Sequence, residues 1–347
     1  MSLPPVEIPS GAMRFNSDSY KLEYYDGSQW LQVSTFSPNI GIATAGSSAS
    51  LGAGPRGLWG GGRTDASVKT NTIDYVNISS TGNAVDFGDL TLARRRMQAC
   101  SSSTRGVWGG GYDPDLSTMD FVTISSTGNA ASFGNLTIAR RTAGSLSSST
   151  RGIWSGGSVG PLVQNVIDYV TIATAASAVD FGDLTVARDG PNGFSSPTRG
   201  IFAGGISNPS PLTDSNIIDY ITISTLGNAT DFGDLTVTSR NCTACSNPIR
   251  GVWGGGYTPT AVNTIQYITI ATLGNAVKFG DLTRAGGPMQ ACASSTRGLW
   301  AGGYLAPNTT NIIDYVTIMT QGNAVDFGDL TVIRHAGGAC SNAHGGL

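Results

Sequence analysis

The chain has 347 residues, 48 of them glycine; only 12% are charged, and the net charge is −3. Its arginines and lysines form no basic run or pole, which argues against nucleic acid as a partner. No apolar stretch approaches the roughly eighteen residues of a membrane span. Met1 to Glu7 lacks the basic-then-apolar form of a signal peptide, so sequons such as those at Asn77 and Asn308 read as accidental.

Residues 11–33 read as three short strands, joined by turns at Asn16-Ser17-Asp18-Ser19 and Asp26-Gly27-Ser28. A meander of this size cannot bury a core alone. With Phe15, Leu22, Tyr24, Trp30 and Leu31 it carries more apolar surface than it can cover, so it is expected to pack against the rest of the chain, its own copies or another protein. The wording Arg14-Phe15-Asn16, then Leu22-Glu23-Tyr24-Tyr25-Asp26-Gly27, then Trp30 resembles a short module of tailed-phage virion proteins, especially fibre and tail components. The resemblance covers residues 8–35 and implies an attachment module, often trimeric; an ordinary β-meander is the other reading. With residues 1–40 as this module, residues 41–55, rich in small side chains, read as a linker or as a first inner strand.

From Arg56 onward one pattern is written six times. Arg-Gly recurs at Arg56, Arg105, Arg151, Arg199, Arg250 and Arg297; Phe-Gly-(Asp/Asn)-Leu-Thr recurs at Phe87, Phe133, Phe181, Phe232, Phe279 and Phe327. Two landmarks sharing a spacing of 46 to 51 residues mark a solenoid or propeller. Within one period, Met97–Ser101, Val107–Gly111, Phe121–Ser125 and Ala130–Ile138 are short runs bounded by turn formers, without a helical period. Four strands per repeat make one propeller blade.

An arginine ends one repeat, a small-residue strand follows, and an aromatic then runs into Gly-Gly, as in Arg94 through Trp108-Gly109-Gly110. This resembles Kelch-type propellers over residues 44–347. The resemblance implies an all-β fold: a six-bladed Kelch-like β-propeller of four-stranded blades over 56–347, carrying the N-terminal β-meander. It leaves activity open, because the scaffold hosts enzymes, adaptors and adhesins. Gly337–Asn342 repeats Met97–Ser102 more closely than residues 48–53 do, so a strand within 337–347 is expected to complete the blade begun at Arg56.

Most chemically suggestive residues fall on repeat positions. Cys242-Thr243-Ala244-Cys245 has C-x-x-C spacing, yet the slot five residues before each Arg-Gly holds Leu51, Cys100, Leu146, Phe194, Cys245 and Cys292, and Cys242 stands where Met97 and Met289 stand. Packing thiols are expected, with no zinc site. The two histidines, His335 and His344, are too few for copper ligation and stand at the C-terminal end, and the arginine cluster and Asp boxes of sialidases are missing. No catalytic residue, metal or cofactor is therefore expected. Asp74, Asp120, Asp168, Asp219 and Asp314, with Gln266 in the fifth repeat, are expected to be half-buried partners of repeat arginines or backbone N–H groups rather than calcium ligands. Trp59, Trp108, Trp154, Trp253 and Trp300, with Phe202, form one packing slot.

The segments after each Gly-Gly vary between repeats. They are expected on one face, with Arg63, Lys69, Tyr112, Asp113, Asp115, Tyr257 and Tyr304 as candidate binding residues. The functional expectation is a non-enzymatic structural component of a phage virion (tail fibre, appendage or decoration), assembled in the host cytoplasm and displaying a propeller for protein or glycan binding. Its partners would be other virion proteins, further copies of the chain as a trimer, and a host-surface protein or glycan. A cellular Kelch-like adaptor and a carbohydrate-active enzyme are the alternatives.

Overall fold

A computed structural model divides the chain into two units, Met1–Ala53 and Gly54–Leu347, and describes residues 8–16, 21–32, 54–65, 67–112, 114–207 and 213–347. Regular structure in the described residues is all β-strand, and none of them forms a helix long and apolar enough to cross a membrane.

The first unit holds a three-stranded antiparallel sheet of Met13–Asn16, Lys21–Tyr25 and Trp30–Gln32. Asp26 builds its second turn. Its Oδ1 accepts the Ser28 and Gln29 backbone N–H groups at 2.7 and 2.8 Å, and these bonds, Gln29 first, hold the carboxyl below its usual range. Phe15 stands opposite Leu22 in register, and Met13, Tyr24 and Leu31 stand across from one another. Trp30 lies on the other side, with the Arg14 guanidinium 4.1 Å over its ring and paired to Glu23 at 2.9 Å. Period-two alternation therefore splits Tyr24 and Trp30 between two faces. The alternative strand at 44–53 lies outside the described residues.

The second unit contains six four-stranded antiparallel sheets. In one of them the strands are Gln98–Ser101, Arg105–Gly109, Thr118–Thr123 and Ala131–Asn135, paired in that order. The second strand ends at Gly109 instead of Gly111 because Gly110 and Gly111 take φ of 71° and 131°, which turns the chain out of the sheet. The fourth carries a bulge at Phe133. That bulge buries the phenyl ring and leaves Gly134 where a Cβ would lie 2.5 Å from Ala176 O of the next sheet, which explains the Phe-Gly pair.

The first strands neighbour one another in the succession 98–101, 144–147, 192–195, 243–246, 290–293 and 338–341, and the last neighbours 98–101. Gly338–Ser341 pairs with Arg56–Arg63, Gly338 opposite Gly60 and Ser341 opposite Gly57, so the C-terminal strand completes the sheet begun at Arg56. The arrangement is β-propeller-like. Between sheets, Trp59, Trp108, Trp154, Phe202, Trp253 and Trp300 are buried in one repeated slot. The Trp108 indole N–H donates to Gly338 O of the neighbouring sheet at 3.0 Å. All five cysteines are buried and unbridged; burial pushes the Cys242 thiol up to about 11 and Cys340 up to about 12, as packing groups would be.

Three sets of polar contacts join each sheet to the next. Arg56, Arg105, Arg151, Arg199, Arg250 and Arg297 lie over an aromatic of their own sheet, as Arg56 does over Tyr75 at 4.9 Å. Each also donates to an isoleucine carbonyl of the following sheet, the last (Arg297) to Ile78 O. Asn83, Asn129, Asn228, Asn275 and Asn323 each accept a backbone N–H from the outer strand of the preceding sheet through their Oδ1 atoms; Ser177 Oγ takes this part in the third. The Gly-Asn turns, and Ala176-Ser177 in the third sheet, are therefore clips.

The third set is the buried carboxylates. Asp74, Asp120, Asp168 and Asp219 form ion pairs with Arg334, Arg94, Arg140 and Arg188, all eight side chains fully shielded from solvent. This is deeper than the half-burial expected from the sequence, because the end of the preceding sheet covers them. Each carboxylate also accepts the hydroxyl of the threonine that ends the preceding sheet's Phe-Gly-Asp-Leu-Thr, or its equivalent, as Asp120 does from Thr91 at 2.6 Å. Two departures preserve the chemistry. Where Gly286 stands in the arginine position, Arg284, two residues earlier, reaches Asp314 at 3.0 Å. Where Ser239 stands there, the carboxylate is replaced as well, by Gln266, whose Oε1 takes the Thr236 hydroxyl at 2.6 Å.

Two predictions follow from this packing. Trp108→Ala should cost about 3–5 kcal/mol in denaturant unfolding, and Cys100→Leu far less, since Leu146 fills the same slot; equal losses would refute the packing reading of the thiols. Arg140→Ser alone should cost about 3–5 kcal/mol by stranding a buried carboxylate. The double change Arg140→Ser with Asp168→Gln, which copies Ser239 and Gln266, should recover most of that loss in a double-mutant cycle.

Candidate functional site

The connections leading into each first strand and the segments after each Gly-Gly meet on the same side of the sheets of the second unit. Arg95 bridges to Tyr112, Arg141 to Ser158, Arg240 to Tyr257, Gly287 to Tyr304 and His335 to Arg63; Arg188–Asp189 pairs with Ile206–Ser207. One residue in most connections is left-handed: Arg96 at φ 57°, Thr142 at 51°, Gly190 at 65°, Asn241 at 53° and Ala336 at 57°. Backbone N–H groups link these turns. Gly190 donates to Thr142 O, Thr142 to Arg96 O, Arg96 to Ala336 O and Ala336 to Pro288 O, at 2.9, 2.7, 2.6 and 3.2 Å. Pro288 has no N–H to carry the circlet further.

The circlet surrounds a cavity of about 440 Å³ lined by Arg63, Arg95, Arg96, Arg240, Tyr257, Tyr304, His335, Asn241, Pro191 and Ile206, with Gln98, Asn192 and Thr243 at the starts of the first strands. Among the described residues no carboxylate lines it. Thr243 Oγ1 is buried there without a protein partner. Acidic groups stand behind the rim instead: Asp214 lies 3.6 Å from Arg240, and Asp189 accepts the Thr142 hydroxyl.

The arginines of the chain divide by role. Eleven of the 17 make the two arginine contacts between sheets described above, Arg14 lies in the first unit, and the remaining five (Arg63, Arg95, Arg96, Arg141 and Arg240) stand at or beside this cavity. Their field is felt at His335, which is 7% exposed, stacks at 5.2 Å on Tyr304 and has Nδ1 3.2 Å from the Thr309 hydroxyl. Burial, then the charges of Arg63, Arg95 and Arg96, lower its pKa to about 4, against an opposing pull from Asp65.

The candidate residues separate on this geometry. Arg63, Tyr257 and Tyr304 line the cavity. Tyr112 does not; its ring is packed against the guanidinium groups of Arg95, Arg96 and Arg141 at 5.0, 5.8 and 4.5 Å. Asp115 pairs with Arg141 at 2.7 Å, and Lys69 stands across the strand pair from Arg63. Asp113 lies outside the described residues. Tyr257 is a structural bridge as well, its hydroxyl donating to Gly287 O and Tyr304 O at 3.1 and 3.0 Å. Replacing Tyr257 would therefore remove a contact of the fold along with part of the cavity wall. Arg95, Arg96, Arg240, Asn241 and His335 were missed. Aligning the repeats shows the signal: the two residues after the ion-pairing position are Arg-Arg, Arg-Thr, Asp-Gly, Arg-Asn, Gly-Pro and His-Ala.

At the other end of the first strands, hydroxyls form a second ring. Ser101, Ser147, Ser195 and Ser246 each donate to the carbonyl of the matching residue in the preceding sheet, at 2.6 to 2.8 Å, and Ser341 does so to Ala293 O. Ala293 has no hydroxyl to offer Ser246 O, and the N–H of Gly345 fills that carbonyl at 2.9 Å. His344 settles beside it, with Nε2 2.9 Å from Ser101 O and Nδ1 accepting the Gly346 N–H at 3.0 Å. One neutral tautomer satisfies both contacts, and burial lowers this histidine to about 4. Among the described residues no group of three or more His, Cys, Asp or Glu side chains is placed to hold a metal ion.

No family model matches the chain, and no curated protein is detectably similar to it.

His335 and His344 both titrate at about 4 in the fold against an ordinary 6.5. In that interval the unfolded chain binds protons that the folded chain does not. Stability contributed by both groups is therefore complete above pH 6.5, falls as the pH drops towards 4, and levels off below. Melting temperatures measured across this range should fall less steeply for His344→Gln than for the parent; parallel curves would refute the assignment.

Proposed function

We propose that the second unit is a six-bladed Kelch-like propeller closed by its C-terminal strand, and that it is a non-catalytic binding module whose ligand meets the face bearing the arginine- and tyrosine-lined cavity. One observation carries the binding reading. The sheets are near copies of one another, and five residues that differ between repeats (Arg63, Arg96, Ile206, Asn241, His335) gather around one opening of about 440 Å³, within the usual size of ligand clefts. Residues 1–40 supply attachment in this reading. Their likeness to virion modules supports a phage fibre, appendage or decoration protein that binds other virion proteins, assembles as a trimer and presents the propeller to a host-surface protein or glycan. Met13, 61% exposed, and Tyr24, 39% exposed, offer the attachment unit an apolar face for that association.

Light scattering of the full chain should give a trimer, and mass spectrometry should find the chain on purified phage particles. Ile206→Ala and Tyr304→Phe should reduce binding of the full chain to host-cell surfaces while its mass in solution is unchanged. A monomer absent from particles would overturn the virion role, and undiminished surface binding by both variants would overturn the choice of face.

A further inference from the structure

The distribution of arginines says what kind of ligand the cavity takes. In this second unit every arginine outside the repeated contacts between sheets is at the cavity or beside it, and among the described residues no carboxylate lines the wall. Arg96 is one of those that line the wall. It occupies a left-handed position, φ 57°, where side chains with a Cβ are disfavoured. The equivalent position in the third connection is Gly190, which takes the same backbone without strain. The conformation belongs to the turn itself, since Thr142, Asn241 and Ala336 adopt it as well, so what sets Arg96 apart is the charge it brings to the cavity wall. Guanidinium groups match the two oxygens of a carboxylate or phosphate with paired N–H donors. Tyr304, Pro191 and Ile206 give the same cavity apolar walls, and Asn241, Gln98 and Thr243 give it groups that both donate and accept hydrogen bonds. Apolar faces beside two-way hydrogen-bonding groups suit a sugar ring and its hydroxyls.

We infer that the cavity is a binding site for an anionic saccharide, with Arg63, Arg96 and Arg240 receiving its carboxylate or phosphate and the Tyr304 side of the wall receiving the ring. The inference rests on the proposed binding face and adds the chemistry of the ligand. Both oxyanions make the same contacts with a guanidinium, so two probes separate them. Because Gly190 shows that glycine suits the Arg96 position, Arg96→Gly removes the charge while relaxing the backbone.

Calorimetric titration of the full chain with glucuronate, glucose 6-phosphate, glucose and inorganic phosphate tests this. Glucuronate or glucose 6-phosphate should bind saturably, and whichever binds tighter names the oxyanion. Loss of a charged contact should weaken that binding about tenfold or more in Arg96→Gly and again in Arg63→Gln. Glucose and inorganic phosphate should each bind at least about tenfold more weakly than the charged sugar, since each lacks half of the recognised groups. The melting temperature of Arg96→Gly should equal or exceed that of the parent, which separates lost recognition from lost folding; Arg63→Gln gives the same reading outside the left-handed turn. The inference is overturned if neither charged sugar binds, if inorganic phosphate binds as tightly as they do, or if both variants bind like the parent. Reduced host-surface binding in Ile206→Ala with no binding of any charged sugar would keep the proposed face and reject the anionic saccharide.

Discussion

The buried Arg–Asp–Thr contact is the constraint on which the second unit depends. A carboxylate sealed between two sheets must be fully bonded, and here its partners come from different places in the chain: a guanidinium from the connection, a hydroxyl from the end of the previous sheet. Burial opposes the charge on both partners. It raises Asp219 and Asp314 and lowers Arg188 and Arg284, with the attraction between partners only partly offsetting it. Such a pair adds little net stability but tolerates few geometries. Its effect is to set how one sheet sits against the next. The Ser239 and Gln266 junction shows that a neutral hydrogen-bonded version satisfies the same geometry, provided both partners change together.

Fixing the sheets in this way leaves their inner ends as the part of the repeat free to vary. The connections arrive there in left-handed turns tied to one another by backbone hydrogen bonds, so their side chains can differ without disturbing the sheets. Arginine illustrates the division. Arg94, Arg95 and Arg96 are consecutive, yet the first is sealed in an ion pair, the second lies against Tyr112 and lines the cavity, and the third is held in a strained turn at the rim. One residue type serves packing, support and display within three positions.

The period, the aromatic slot, the fate of the cysteines and the pairing of the C-terminal strand were legible in the sequence, because each is written as a local pattern that repeats. What was not legible depends on contacts between residues some 40 to 50 positions apart. The Gly-Asn turns read as plain turns until Asn129 is seen to accept the Asp89 N–H. Tyr257 reads as an exposed ring until its hydroxyl is found bridging two other segments. The cavity was hidden for a related reason. Arg95 and Arg96 directly follow a structural arginine, and with twelve residues of other function among the 17 arginines, composition alone does not mark them out.

The missing hydroxyl at Ala293 bears on symmetry. A channel lined by near-identical strands offers an entering segment several equivalent orientations, related by steps from one strand to the next. Six serines would satisfy every inward carbonyl and leave no preferred seat; one alanine exposes a single carbonyl, that of Ser246, and the Gly345 N–H takes it. This one departure from the repeat selects a unique angular position for residues 344–347. A pseudo-symmetric scaffold thereby acquires a fixed rotational origin, from which the irregular side chains at the opposite end can be counted.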